Sequence, residues 1–304
     1  MEIILQPAVK VLKPMKILSY GPTYSGKTLS SLYLAVGIIM NKRKCSEAEA
    51  YTHTVLIDTE FGRGALHNKI GPYNYIKIEP PYNTEKLNDI IQQLNFKDEI
   101  DVIIIDSLTH FWAKEGGILD QKAIKDKQGN SNSYTNWQEF TAKFNKMLDV
   151  ILTSSKNILV TARAKTDTAL VMLDSGKSAP KSFGLKPELR DGIEFEFDIV
   201  FNIDKQTHNL IVDKGIPGLL PVYAIATPSL GAELYDLFIA DTVVPVRTPT
   251  NIIDNIRSLS QKHNLIQQVM LTLSGKKLET LSEQELLVIE NTLLTTIKKA
   301  QLNK

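Results

Sequence analysis

A chain of 304 residues, 43% hydrophobic and 23% charged, can bury a full core as one large domain or two smaller ones. Its formal net charge of +1 excludes a global positive field that would draw nucleic acid to the whole surface, so any such interface has to be local. The single cysteine, Cys45, excludes an internal disulfide framework and a cysteine-ligated zinc, and the five histidines show no metal-ligand spacing. No apolar run approaches the roughly 20 residues of a membrane helix. The opening stretch, interrupted by Lys10, Pro14 and Lys16, lacks the pattern of a cleaved signal. A cytoplasmic protein with no membrane partner is expected, and so few thiols fit a reducing compartment.

Lys16–Tyr20 reads as a short apolar strand running into a glycine loop, and Thr28–Met40 as a mostly apolar, buried helix. Strands follow at Thr54–Ile57, stopping at Asp58, and at Tyr75–Ile78, where Pro80 and Pro81 break the chain. Thr84–Leu94 has an amphipathic helical period with Thr84 in the N-cap position. Val102–Ile105 is wholly aliphatic, as the centre of a parallel sheet requires. Trp137–Ser154 reads as a long helix leading into strand Ile158–Thr161. Phe197–Ile203 and Asn209–Val212 read as two strands joined by a turn at Asp204–His208. This alternation predicts an α/β fold with a mostly parallel central sheet.

From Thr250 the period is helical and more polar. Ile252, Ile253, Ile256 and Leu259 form one apolar stripe, and Leu265, Ile266, Val269 and Met270 another. Ser282 with Glu285 forms a capping box for a last helix bearing Leu286, Ile289, Leu293 and Ile297. With Pro245–Thr250 as linker, the predicted organisation is a core over residues 1–245 and a small helical domain over 250–304.

Three elements carry chemistry. Gly21-Pro22-Thr23-Tyr24-Ser25-Gly26-Lys27-Thr28 fits G-x-x-x-x-G-K-[ST] in full, between a strand and a helix. Its glycines let the backbone turn successive N–H groups toward phosphates beside a helix N-terminus. In such a loop Lys27 reaches the β- and γ-phosphates of ATP, and the Thr28 hydroxyl ligates magnesium. About 80 residues downstream the aliphatic strand delivers Asp106 at its carboxyl edge, where it would hold the magnesium through water. The third element is Asp58-Thr59-Glu60, whose carboxylates offer a base for the attacking water and a turn or cap acceptor. Asp58 is assigned the turn and Glu60 the base.

In this order and spacing the three elements resemble the RecA family, with a phosphate loop similar to GPTYSGKT, a strand end similar to LIDTE and another similar to IIIDS. The resemblance is nearest to the small RecA-like ATPases of bacteriophages, including Sak-type single-strand-annealing proteins, and covers roughly residues 14 to 240. Segments such as Glu79-Pro80-Pro81-Tyr82, Ile105-Asp106-Ser107-Leu108-Thr109-His110 and Thr161-Ala162-Arg163-Ala164-Lys165-Thr166 carry it. It implies a magnesium-dependent ATPase with Glu60 as catalytic base, and a bacterial host cytoplasm if the chain is phage-encoded. Arg163 stands where the family usually has a glutamine that senses the γ-phosphate. Members of the family usually complete the ATP site from a neighbouring subunit, with a basic Val-x-Lys-x-Arg strand end. Here the strand end is Val212-Asp213-Lys214-Gly215-Ile216, so Lys214 is kept and arginine is replaced by Ile216. Lys214 is either a finger acting in trans or a solvated hairpin lysine.

The resemblance also implies single-stranded DNA as a partner, held by loops after the sensing strand. Residues 165–190 occupy that place, with Lys165, Lys177, Lys181, Lys186 and Arg190 among glycine, serine and proline, and Phe183 available to stack on a base. Lys114–Lys127 is a second basic stretch, nearly balanced by acidic residues, and Trp112 is assigned to core packing. The expected function is ATP-driven action on single-stranded DNA in annealing or recombination, by a homo-oligomer. The alternative is a nucleotide-gated switch that binds a protein and not DNA. The helical C-terminal domain would serve either oligomerisation or docking of a single-strand-binding protein.

Overall fold

The computed structural model describes residues 12–129, 132–172, 178–240 and 249–262, with shorter pieces between 265 and 296. In chain order the elements are β1 (Lys16–Gly21), α1 (Lys27–Arg43), α2 (Glu47–Thr52), β2 (Thr54–Asp58), β3 (Asn74–Lys77), α3 (Thr84–Asn95), β4 (Val102–Asp106), α4 (Thr109–Ala113), α5 (Ile118–Lys127), α6 (Ser133–Thr153), β5 (Asn157–Met172), β6 (Ser178–Pro187), β7 (Ile199–Ile203), β8 (Leu210–Lys214), β9 (Val222–Tyr223), α7 (Pro228–Ile239) and α8 (Pro249–Lys262). Short 3₁₀ turns lie at Arg63–His67, Ile193–Glu196 and Leu278–Thr280.

Nine strands form the sheet in the order β3-β2-β4-β5-β1-β7-β8-β9, with β6 paired to β5 alone. Strands β3 through β7 along this path pair in parallel, while β7–β8, β8–β9 and β5–β6 are antiparallel. The predicted mostly parallel α/β architecture is therefore what the chain adopts. Both faces of the sheet are covered, which explains the unbroken aliphatic runs in its strands. Ile103 and Ile105 of β4 face one apolar cluster with residues of α3, α4 and α6, while Val102 and Ile104 face the other with α1 and α7.

Sequence reading missed α5 and α7, and it placed one cap wrongly. Asn83, not Thr84, caps α3: its side chain accepts from Lys86 N at 3.0 Å, and Thr84 is the buried first helical residue. Helix α7 packs on α1 through glycines. A Cβ on Gly37 would lie 1.9 Å from Pro228 O, and one on Gly231 would lie 2.3 Å from Leu34 O. Gly37 costs helix propensity in the middle of α1, and the close backbone approach is what that cost permits. Gly37→Ala is expected to destabilise the protein by about 2 kcal/mol, because overpacking against backbone exceeds the propensity gained. Guanidinium unfolding should show a lower midpoint at unchanged slope; an unchanged midpoint would remove this account of the helix pair.

The largest departure is at residues 165–190. Instead of a loop, β5 runs past the sheet, and Ala164–Met172 pairs with Ser178–Pro187 as a two-stranded ribbon. The alternation of Thr166, Asp167 and Thr168 is a strand period that the glycine, serine and proline of the return strand obscured. Gly184 takes φ +117 beside a register shift at Asp167/Thr168. Lys177 lies outside the described residues. Of the second basic stretch, Ile118–Lys127 is a helix, and two of its lysines are engaged within the molecule. Lys122 Nζ donates to Ser133 Oγ at 2.8 Å and to Asp126, and lies 4.9 Å from the Trp137 ring centre; Lys125 pairs with Glu139. Trp112 is buried against Phe144 and Trp137.

By internal contacts the chain divides into two compact units, with Lys13–Asp241 forming the larger. In the smaller, Ile252, Ile253, Ile256, Val269, Leu286, Ile289 and Leu293 share one apolar cluster. Of the second predicted stripe, Val269 joins this cluster, Met270 is exposed and Ile266 lies outside the described residues. The capping box closes reciprocally: Ser282 N donates to Glu285 Oε2 at 2.9 Å, and Glu285 N to Ser282 Oγ at 3.3 Å. Of the predicted linker, residues 245–248 and, of the last helix, Ile297 lie outside the described residues. No helix of the described residues is long and apolar enough to cross a membrane.

Candidate functional site

The register of the sheet gathers the three motifs at its carboxyl edge. Gly21, the last residue of β1, pairs with Arg163 of β5, and Asp58 of β2 pairs with Asp106 of β4. Because β5 lies between β1 and β4, its residues Thr161 and Arg163 come between the phosphate loop and the second acidic strand end.

Gly21 leads into the loop so closely packed that a Cβ there would lie 2.6 Å from Ile203 O. The turn closes with Ser25 N donating to Pro22 O at 3.2 Å. Tyr24 (φ 67) and Gly26 (φ 89) both occupy the left-handed region, which aims the loop back toward the start of α1. That helix begins with no side-chain cap and no acidic residue in its first turn, so its first N–H groups are left for an anion. His208, on the turn between β7 and β8, supports the loop from behind: its Nδ1–H donates to Ser25 O at 3.0 Å.

A cleft of about 380 Å3 opens over the loop, lined by Thr23, Tyr24, Gly26, Lys27, Thr28 and Leu29 from this side. Glu60, Arg63, Leu66, His67, Asp106 and Arg163 line it from the other. Lys27 Nζ folds back onto Gly21 O (3.0 Å) and Pro22 O (2.8 Å). Burial holds its pKa below the usual lysine range, against the pull of Asp106 and Glu60. A displaced or incoming phosphate oxygen would be a better partner for this ammonium than two neutral carbonyls.

Thr28 Oγ1 donates to Asp106 Oδ2 at 2.6 Å, and Thr161 Oγ1 donates to Oδ1 at 2.5 Å. Burial pushes the Asp106 carboxyl above its usual range, against these two hydroxyls. Among the described residues no lysine or arginine makes an ion pair with it. A buried carboxylate and an adjacent hydroxyl, both hard oxygen donors short of positive charge, fit magnesium.

Asp58 is the turn carboxylate. It accepts from Glu60 N (2.5 Å), Gly64 N (2.9 Å) and Tyr75 Oη (2.7 Å). That frees Glu60 to turn into the cleft, where Arg163 holds it through Nε (3.1 Å to Oε1) and Nη2 (3.0 Å to Oε1, 2.8 Å to Oε2). Burial raises the Glu60 carboxyl, but the hydrogen bonds and charge of Arg163, with the charge of Arg63, outweigh it and hold the group below its usual range. Arg163 is raised in turn, burial notwithstanding, by the same carboxylate.

Sequence reasoning gave His110 no role of its own. Its ring is fully buried, with Nδ1 2.9 Å from Thr59 O and Nε2 3.4 Å from Glu60 Oε1. Its position four residues after the acidic end of β4 was the available signal, but a helical run of apolar neighbours reads equally well as core. Arg63, 3.8 Å from Glu60, and His208 were overlooked as well. Lys214 is not brought into the cleft: its Nζ donates to Phe195 O at 2.6 Å.

On the ribbon, Lys186 lies 3.1 Å from both Asp167 and Asp191, and Lys165 lies 3.8 Å from Asp191. Arg190 donates to Asn145 at 2.7 Å, and Phe183 is exposed.

A family model described as an AAA domain matches residues 13–225. Among curated proteins no relative is matched.

Proposed function

The chain belongs to the AAA-domain family of P-loop ATPases, and from that premise we propose that it hydrolyses ATP with magnesium and uses the cycle to act on single-stranded DNA, as RecA-like phage proteins of annealing or recombination do. The observation that carries the hydrolytic reading is the convergence of Lys27, Thr28, Asp106 and Glu60 on one cleft. Backbone N–H groups of the loop and the start of α1 bind the phosphates, and Lys27 leaves its carbonyl partners for the β- and γ-oxygens. Thr28 and Asp106 would hold magnesium, which supplies charge neutralisation to the phosphate oxygens when bound. Glu60 takes the proton of the attacking water. While Arg163 grips Glu60, the carboxylate is a poor base. A γ-phosphate that draws Arg163 away restores its basicity, so this arginine does the sensing that glutamine does in relatives.

The DNA reading draws support from the ribbon that continues β5 directly beyond Arg163. An element on the order of 25–30 Å long, attached to the sensing residue, is suited to pass the state of the nucleotide to a bound strand. Lys214 would act in trans across a homo-oligomer, and the exposed Tyr24 and Leu66 at the cleft suit cover by a second copy. The helical unit would assist assembly or dock a single-strand-binding protein. One observation favours the protein-switch reading: Asp167 and Asp191 neutralise Lys165 and Lys186.

The two readings separate on salt. If the ribbon contacts single-stranded DNA, log K should fall against log salt with a slope of about −0.7 per phosphate neutralised. ATP turnover should also rise with DNA present. A flat salt response with turnover indifferent to DNA would leave the switch as the function.

A further inference from the structure

We propose that His110 is a positioning residue of the hydrolytic site, poised to accept through Nε2 the proton that Glu60 takes from water. This rests on the ATPase reading above. The tautomer follows from geometry. Thr59 O can only accept, so the nitrogen 2.9 Å from it, Nδ1, carries the hydrogen. In the neutral ring Nε2 is then a bare lone pair, fully buried and without a hydrogen-bond partner among the described residues. It faces Glu60 Oε1 at 3.4 Å, an acceptor set against an acceptor.

A histidine kept for structure would use both nitrogens or be replaceable by an apolar ring. Thr59 O already receives the Tyr82 hydroxyl at 3.1 Å, so the imidazole is not needed to satisfy that carbonyl. What it adds is a basic nitrogen beside Glu60. The groups facing it are Glu60, Arg163 and Lys114 as charges, with the Tyr82 and Phe61 rings at 5.1 and 6.2 Å. Burial, with the two cations, keeps the imidazole below its usual range despite Glu60, so it enters the cycle neutral.

The oxygen of water bonds to the γ-phosphorus while the bond to the β–γ bridging oxygen breaks, and that electron pair leaves on the diphosphate. The water proton passes to Glu60. The new O–H then faces Nε2, and the contact that was acceptor against acceptor becomes a hydrogen bond. Transfer across it restores the carboxylate and leaves an imidazolium, which returns the proton through Glu60 to the solvent of the cleft as products leave. Such a bond exists only after the proton has begun to move, so it favours the transition state over the ground state.

The test compares kcat, KM and their pH dependence over about pH 5 to 9 for the wild type, Glu60→Gln and His110→Asn. The asparagine amide keeps a donor for Thr59 O but has no counterpart to Nε2. His110→Asn is expected to lose about 10- to 100-fold in kcat, less than the ~10²–10⁴ of a group acting directly, with KM and the affinity for a non-hydrolysable ATP analogue unchanged. Its acid limb should move to lower pH, since only Glu60 must then be free of a proton. In the imidazole ¹⁵N spectrum of the nucleotide-free wild type at neutral pH, His110 should be the neutral Nδ1–H tautomer. An imidazolium or Nε2–H form there overturns the proposal. So does a His110→Asn variant with unchanged kcat and acid limb, or one that loses analogue affinity in step with kcat. A wild type with no turnover at any pH sinks the ATPase reading itself, whereas an active wild type with an inactive Glu60→Gln and an indifferent His110→Asn sinks only the relay.

Discussion

Lys27→Ala should lose nucleotide binding almost entirely while the protein stays folded. In the free protein the ammonium makes two hydrogen bonds, to Gly21 O and Pro22 O, and its burial makes the charged form costly there. Removing it strips a donor from two carbonyls of a surface loop, a loss of about 1 kcal/mol that the removed desolvation partly offsets. With phosphates present the same ammonium is the charged partner of a polyanion in a walled cleft. Truncating such a partner costs about 2–5 kcal/mol, or roughly 30- to several thousand-fold in Kd. Thermal unfolding reads this directly. An ATP analogue at ~100 times the wild-type Kd adds about 2.7 kcal/mol of stability to the wild type. A variant weakened ~1000-fold would gain under ~0.1 kcal/mol at that concentration. An alanine variant that kept the wild-type shift would show that the loop does not hold phosphates through Lys27.

Glu60→Gln should behave in the opposite way, binding nucleotide and failing to cleave it. The amide has nearly the shape of the carboxylate but cannot take a proton from water, so kcat is expected to fall by about 10²- to 10⁴-fold with analogue affinity retained. Stability should also change, with a defined sign. In the folded protein the Glu60 carboxyl lies below its usual 4.5. Its contribution is therefore fully present above pH 4.5 and is lost as pH falls through the lowered folded value. The wild type should exceed Glu60→Gln in stability at neutral pH, and the difference should shrink on acidification. Turnover equal to wild type in Glu60→Gln would remove the glutamate from the chemistry and leave it as the ion-pair partner of Arg163 alone.

The glycine loop ending in Lys27 and Thr28, the aliphatic strand ending in Asp106 and the turn placement of Asp58 were legible in the sequence. Each depends on spacing within a few residues, and a buried parallel strand announces itself by an unbroken aliphatic run such as Val102–Ile105. The helical period from Thr250 and the capping box at Ser282 were legible for the same local reason.

Only the tertiary structure decided which side chains meet across the cleft. Arg163 reaches Glu60 over 103 residues of chain, and His208 reaches Ser25 over 183. His110 reaches Glu60 because the ends of β2 and β4 are tied together by Thr59, whose N–H donates to Asp106 O at 2.8 Å. The ribbon after Arg163 was hidden because pairing between strands is a non-local choice that glycine and proline content only biases. What the residues near one another in sequence can specify is a motif and its chemistry. Whether Lys214 faces its own cleft, whether Lys186 is free or paired and whether Glu60 rests as a base or as half of an ion pair are set by sheet order and register, which bring distant residues within a few ångströms.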